Sequence, residues 1–260
     1  MTTAASIIDQ LRSDLRGRPA FLAGSLVAED VYGLTNAHDD ADLFVPSPQA
    51  LISIGQHLID AGYTLDNRFE RVWHRWLKYG FNNWHTNSLK LEGPGGVEVN
   101  LVYKLVEKAP TKNLSAVLES FDFGLLGAGW DMERDTFHDM RSYLFPTHKS
   151  DGPLPLMPNK RDNWRNGFIS QYNGLREAGR YAKYYQYGYD LSLVADDLLT
   201  GYDHAVQYLS QRSNKDKQLL AEIYETIAIK IEDDQVQELA DFGHMIPSLD
   251  SLDQIMEALE

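Results

Sequence analysis

Apolar positions in the first third of the chain follow a helical period in three places. Residues 4–16 carry apolar side chains three and four positions apart, which predicts a short amphipathic helix. Residues 26–39 predict a short helical turn followed by a loop. A longer helix is predicted after this region, with Ser47 as its N-cap, Pro48 at its first position and Gly62 at its end.

Other segments follow the pattern of strands. Residues 20–23 and 40–45 are short apolar runs, and each predicts a strand. Residues 88–92 and 97–104 flank the turn sequence Gly93-Pro-Gly-Gly96, which predicts a β-hairpin. Strands alternating with helices in this order predict a mixed sheet with flanking helices, an α/β or α+β fold.

The pattern changes in the second half of the chain. A proline-rich loop near residue 150 follows an apolar stretch, and residues 160–260 predict an all-helical region. We therefore expect two domains, residues 1–150 and residues 151–260. The predicted helices of the second domain are 160–186, 190–211, 215–231, 234–241 and 249–259.

Composition narrows the class of protein. The 260 residues are 43% hydrophobic and 24% charged, as in an ordinary globular protein. There is no cysteine, so disulfides and thiolate-bound zinc are excluded. No apolar run is long enough for a membrane span and no signal peptide is recognisable, so we expect a cytoplasmic protein that does not bind membranes.

The net charge of −14 is concentrated near the C-terminus. Residues 231–260 contain nine acidic residues and no lysine or arginine. Acidity opposes indiscriminate nucleic-acid binding, although a local basic patch can still bind RNA. The acidic surface could instead recruit a protein partner.

Two aspartates carry the most specific chemistry. Asp40 and Asp42 are two positions apart on a predicted strand, so both carboxylates point to one face and can meet one divalent cation. Upstream, Gly24-Ser25 has little side-chain bulk and could let a triphosphate approach the backbone and the hydroxyl. The plainer interpretation is two ordinary carboxylates at the start of a strand, preceded by an ordinary turn.

These residues resemble the signature of the DNA polymerase β-like nucleotidyltransferase superfamily. The matching positions are Ala23-Gly24-Ser25 and Asp40-Ala-Asp42-Leu43, and Glu98 is at a position suited to the third family carboxylate. Two weaker similarities point to viral and phage-encoded members. Phe121-Asp-Phe123 resembles one of their strand motifs, and the segment containing Arg180 and Lys183 resembles the end of a helix in their helical domain.

The resemblance implies a fold, a cofactor and a reaction. Residues 1–150 would form the catalytic domain, and Asp40, Asp42 and Glu98 would be both catalytic and metal-binding. They would hold two Mg²⁺ ions, with Mn²⁺ as the other candidate metal. Gly24, Ser25, Arg180 and Lys183 would bind the nucleotide, ATP or another NTP. The reaction would transfer a nucleoside monophosphate to an acceptor hydroxyl on an RNA 3′ end, a protein or a small molecule, with release of pyrophosphate.

Two other interpretations remain open. The fold could have lost catalysis and serve as a binding or inhibitory module for a partner protein. A metal-dependent phosphohydrolase is the third class, and it would release inorganic phosphate instead.

A basic stripe in the helical region could bind phosphates, or it could be a solvated face paired with acidic residues. Its members are Arg161, Arg165, Arg176, Arg180 and Lys183.

Overall fold

The computed structural model divides the chain into two compact units, Met1–Thr147 and His148–Glu260. The structure describes residues 3–35, 38, 40–67, 73, 87–106, 109–110, 112–165, 180–181, 183–195 and 197. The predicted helices 215–231, 234–241 and 249–259 lie outside the described residues. The catalytic and helical roles expected for residues 1–150 and 151–260 stay predictions.

Three of the five helices described in the first unit begin with a side-chain cap. The bounds of the five are α1 (Ala4–Asp14), α2 (Ser25–Tyr32), α3 (Pro48–Asp60), α4 (Leu114–Glu119) and α5 (Arg141–Leu144), and α6 (Pro158–Arg165) lies in the second unit. The Thr3 hydroxyl caps α1 by accepting from the Ser6 amide, and the Ser47 hydroxyl caps α3 in the same way. The predictions for α1 and α3 are confirmed. Helix α2 is longer than the turn predicted for residues 26–39.

Seven strands of the described residues form one mixed sheet in the order β3-β4-β5-β2-β1-β8-β9. The strands are β1 (Phe21–Ala23), β2 (Ala41–Val45), β3 (Thr64–Leu65), β4 (Asn87–Glu92), β5 (Glu98–Tyr103), β8 (Ala128–Asp131) and β9 (Thr136–Asp139), and a separate pair comprises β6 (Leu105–Val106) and β7 (Ala109–Pro110). Strands β2 and β5 are parallel, and the other neighbours are antiparallel. The mixed α/β class and the β4–β5 hairpin are confirmed.

Buried side chains such as Phe44 and Val102 cover part of one face of this sheet, and the larger apolar core lies on the other face. It includes Leu43 from β2 and Leu101 from β5, together with Leu11 of α1 and Leu51 of α3. Each of these leucines is at most 1% exposed, so each contributes about 1.5–3 kcal/mol of apolar burial. Because strand side chains alternate, residues one position away along β2 and β5 lie on the opposite face. Asp42 and Asn100 are among them.

Residues 121–123 differ from the strand motif that they resemble, and residues 128–139 form a hairpin that the sequence does not predict. Phe121–Phe123 is not a strand, because Phe121 and Asp122 lie in a bend and a 3-10 turn, Gly124–Leu126, follows directly. All three side chains of Phe121–Phe123 are buried, without the alternation of a strand. Sequence reasoning also missed the β8–β9 hairpin, since β8 contains Gly129 and has few β-branched residues.

The described residues include no helix that is both long and apolar enough to cross a membrane.

Candidate functional site

The polar positions of the sheet line up across four neighbouring strands. Lys90 on β4 pairs in register with Asn100 on β5, Asn100 pairs with Asp42 on β2, and Asp42 pairs with Ala23 on β1. Residues in register point to the same face of a sheet, so this row lies opposite the leucine-rich core. The row leads directly to Gly24, where α2 begins.

Asn100 holds the carboxylate of Asp42. Its Nδ2 donates to Oδ1 of Asp42 at 2.9 Å. The Oδ1 atom of Asn100 is buried and has no hydrogen-bond partner within the described part of the chain. A buried carbonyl oxygen of this kind costs free energy unless something pairs with it. Asn100 therefore orients Asp42, and its own Oδ1 is an acceptor that the described residues leave unpaired.

Gly24 brings the backbone of α2 against the other oxygen of Asp42. Gly24 has φ +100° and ψ −156°, a region that only glycine occupies readily. A Cβ on Gly24 would lie 2.9 Å from Oδ2 of Asp42, closer than side-chain carbons approach. The positive end of the helix dipole lies at this terminus and favours a negative group there.

Ser25 is the first residue of α2 and is only 4% exposed. The structure thus buries its side chain beside Gly24. Contact between the Ser25 hydroxyl and the outer phosphates of a nucleotide stays a prediction.

Asp40 and Glu98 share one lysine. The Nζ atom of Lys90 is 3.6 Å from Oδ2 of Asp40 and 3.6 Å from Oε2 of Glu98. The Asp40 side chain is 18% exposed and that of Glu98 is 60% exposed. Glu98 is thus the exposed first residue of β5, and it lies beside the ammonium group of Lys90.

No group of three acidic or histidine side chains in the described residues is arranged to hold a metal ion. The predicted set of Asp40, Asp42 and Glu98 is therefore not a closed cluster. Oxygens of Asp40 and Asp42, with the unpaired Oδ1 of Asn100, still match what Mg²⁺ prefers in proteins. The donor set fits one hard divalent cation, and the assignment of all three carboxylates as ligands stays a prediction.

A hydrogen bond to a buried glutamate anchors the segment that leads into β2. Nδ1 of His38 lies 2.6 Å from Oε2 of Glu29 on α2, and the Glu29 side chain is only 4% exposed. His38 is two positions before Asp40. The pair therefore ties the approach to Asp40 to the same helix that begins at Gly24.

The predicted phosphate-binding residues Arg180 and Lys183 lie in the second unit. They belong to helical residues 180–181 and 183–186, and Nζ of Lys183 is 5.7 Å from the centre of the Tyr187 ring. Arg161, from the same predicted basic stripe, donates through Nε to Asp197 at 2.7 Å. Arg161 therefore pairs with an acid of its own unit. Nucleotide binding by Arg180 and Lys183 stays a prediction.

Sequence reasoning missed two residues of the site. Asn100 on β5 and Lys90 on β4 belong to no recognisable sequence motif. The Gly93–Gly96 turn contained a usable signal, since a hairpin closed there pairs Glu92 with Glu98 and hence Lys90 with Asn100. The position of Asn100 opposite Asp42 had no local signal, because it depends on the register of two distant strands.

Comparison with known proteins gives similarity at the level of solved structures alone. No protein family profile matches the sequence, and no curated protein matches it. A Thermotoga maritima CCA-adding enzyme complexed with tRNA has a TM-score of 0.47 at 12% identity, covering 91% of this chain and 51% of that one. A CCA-adding enzyme with CTP has a TM-score of 0.46 at 13% identity, covering 90% of this chain and 51% of that one.

A CCA-adding enzyme in an apo form has a TM-score of 0.44 at 10% identity, covering 94% of this chain and 63% of that one. This chain therefore spans between half and two-thirds of the length of these proteins. With such low TM-scores, the function has to be argued from the site residues.

Proposed function

We propose that the chain is a divalent-cation-dependent nucleotidyltransferase that moves a nucleoside monophosphate from an NTP to an acceptor hydroxyl. One observation carries the proposal: the Asp42 carboxylate is held by Asn100 directly against the backbone of Gly24, at the start of α2. This arrangement places a carboxylate beside a helix N-terminus. Helix N-termini are suited to binding phosphate. It also agrees with the signature that the Gly24-Ser25 and Asp40-Ala-Asp42 segments resemble.

Charge explains why such a site needs a cation. A phosphate at the start of α2 would approach the Asp42 carboxylate, and two anions at close range repel. A divalent cation between them removes this repulsion. When bound, Mg²⁺ would neutralise charge on the transferring phosphoryl group. Asp42 and the amide oxygen of Asn100 are the residues that would hold it, while the Asp40 carboxylate is paired with Lys90, and Asn100 keeps Asp42 oriented.

Each residue near the cation has a distinct task in this proposal. The missing side chain at Gly24 leaves room for the Asp42 carboxylate beside α2. The backbone at Gly24-Ser25 would face the phosphates. Glu98 is the most exposed acid of the group and would lie on the acceptor side. The acceptor class, whether an RNA 3′ end, a protein or a small molecule, is part of the test.

The test measures transfer of label from the α-phosphate of each of the four NTPs, with Mg²⁺ and a cell extract as the source of acceptors. We expect label on one acceptor class and release of pyrophosphate. Asp42→Asn should lower the rate by roughly a hundredfold or more, since the cation contributes several kcal/mol of transition-state stabilisation. Asp60→Asn, at an exposed position on α3, is the matched control.

Two results would overturn the proposal. The first is the absence of any labelled product with all four NTPs. The second is a product that Asp42→Asn forms as fast as the unchanged protein. Release of inorganic phosphate without labelled acceptor would indicate the phosphohydrolase instead.

A second candidate is a catalytically inactive binding module with the same fold. Two observations favour it: the residue opposite Asp42 is the amide Asn100, and the Lys90 ammonium already lies 3.6 Å from both Asp40 and Glu98. In that case the acidic surface would recruit a partner protein. A partner that binds equally well after Asp40→Ala and Asp42→Ala, together with no transfer activity, would support the module over the enzyme.

A further inference from the structure

We propose that the Lys90 ammonium takes the place of a second divalent cation, so that the site binds one divalent cation and not two. The inference rests on the proposed function for the first cation, which Asp42 would hold. The observation that supports the inference itself is the position of Lys90 between Asp40 and Glu98, the two carboxylates that a second cation would need.

The ammonium group is equidistant from both acids. Nζ of Lys90 lies 3.6 Å from Asp40 and 3.6 Å from Glu98. Lys90 is in register with Asn100, and Asn100 is in register with Asp42, so one strand separates the lysine from Asp42. The lysine therefore lies on the Glu98 side of the site, away from Gly24. Its charge and the proposed cation occupy opposite ends of the same polar row.

A second Mg²⁺ could not bind Asp40 and Glu98 while Lys90 stays in place. The ion would need oxygen ligands at about 2.1 Å, which brings it close to the ammonium group. A unit charge and a divalent charge about 4 Å apart repel each other even in water. Conversely, one lysine supplies positive charge on the Glu98 side without any metal. The site therefore has two cationic positions, of which one is part of the chain.

The experiment counts bound Mn²⁺ on the full-length chain, using the EPR signal of free Mn²⁺ in a titration with the metal alone. The unchanged protein should bind one Mn²⁺ in an Asp42-dependent manner, shown by its loss in Asp42→Asn. Lys90→Gln should bind a second Mn²⁺, because the repelling charge beside Asp40 and Glu98 is removed. Lys90→Arg keeps the charge and should resemble the unchanged protein.

Two further variants make the result specific. Lys112→Gln removes one positive charge at an exposed position of the same unit and should not alter Mn²⁺ binding. Glu98→Gln should also leave one bound Mn²⁺, whereas a two-cation site would fall from two to one. This variant leaves Lys90 intact, so the count can be obtained even when Lys90→Gln does not fold.

Two Mn²⁺ ions on the unchanged protein would overturn the inference, and so would identical titrations of Lys90→Gln and Lys112→Gln. In either case Asp42-dependent binding would still support the proposed function. Absence of Asp42-dependent binding in every variant would overturn the proposed function, and this inference with it.

Discussion

Single residues set the geometry around Asp42, and Gly24 is the most constrained of them. Its backbone conformation suits glycine alone, and the carboxylate of Asp42 occupies the space where a side chain would begin. Gly62 is a useful comparison, because its φ of +96° is similar and nothing lies within 4 Å of its would-be Cβ. Comparing substitutions at the two glycines therefore distinguishes the effect of backbone strain from the effect of contact with Asp42.

We predict that Gly24→Ala lowers the free energy of unfolding by roughly 1–3 kcal/mol more than Gly62→Ala, because it adds overpacking to backbone strain. It should also weaken Mn²⁺ binding by about 10–100-fold, since the Asp42 carboxylate must move. Urea unfolding and Mn²⁺ titration measure the two effects. Equal destabilisation by both substitutions, with unchanged Mn²⁺ affinity, would contradict the packing of Asp42 against Gly24.

At the scale of elements, local capping explains why α3 was predictable. The Ser47 hydroxyl accepts from the Ala50 amide at 3.1 Å, and Pro48 occupies the first turn. We predict that Ser47→Ala lowers the free energy of unfolding by about 1 kcal/mol, measured by urea denaturation. Ser47→Asp should retain most of this stability, because a carboxylate can cap the same amide. A loss as large in Ser47→Asp would show that capping is not the cause.

A second element, α5, depends on a charge pair at its first residue. Arg141 is only 4% exposed and bonds through Nε and Nη2 to the two oxygens of Asp139 at 2.9 and 2.7 Å. The side-chain hydrogen bonds from Arg141 lower the pKa of Asp139, against the opposing effect of burial. A lowered folded-state pKa contributes stability above the ordinary value of 3.8, and this stability is lost as the pH falls through the folded-state pKa.

We therefore predict that Asp139→Asn lowers the free energy of unfolding by about 2 kcal/mol at neutral pH, because a buried arginine loses its charged partner. The difference from the unchanged protein should shrink below about pH 4, as Asp139 itself becomes protonated. Urea unfolding across the pH range measures it. A difference that stays constant with pH would show that the ion pair does not account for the effect.

At the scale of the whole molecule, the proposed cation binding would be coupled to folding. A ligand that binds the folded state alone stabilises it by mass action. We predict that Mg²⁺ at about a hundred times its dissociation constant adds about 2.7 kcal/mol to the free energy of unfolding. EDTA should reverse this gain, and Asp42→Asn should abolish it.

The chain's net charge of −14 calls for a control at matched ionic strength. Added salt reduces repulsion among acidic residues without occupying any site. NaCl at the same ionic strength as the Mg²⁺ solution should therefore give a smaller gain, equal in the unchanged protein and in Asp42→Asn. A gain from NaCl as large as that from Mg²⁺ would attribute the effect to screening.

The sequence by itself determined the local parts of this molecule. Helices α1 and α3 and the β4–β5 hairpin follow from periodicity, caps and turn residues, whose causes lie within a few positions along the chain. The 3-10 turn after Phe123 and the β8–β9 hairpin could not be predicted this way. Their conformations depend on packing, as in the edge-on contact between the rings of Phe44 and Phe121.

Only the tertiary structure decided how the site is composed. Asn100 reaches Asp42 across 58 positions of sequence because β2 and β5 pair in parallel with one particular register. A shift of one residue would turn Asn100 into the core and replace it with an apolar neighbour. The same register brings Lys90 near Asp40. Strand register depends on how distant strands pack together. For this reason the sequence alone indicated a site at Asp42, and only the tertiary structure showed that Asn100 and Lys90 lie near it.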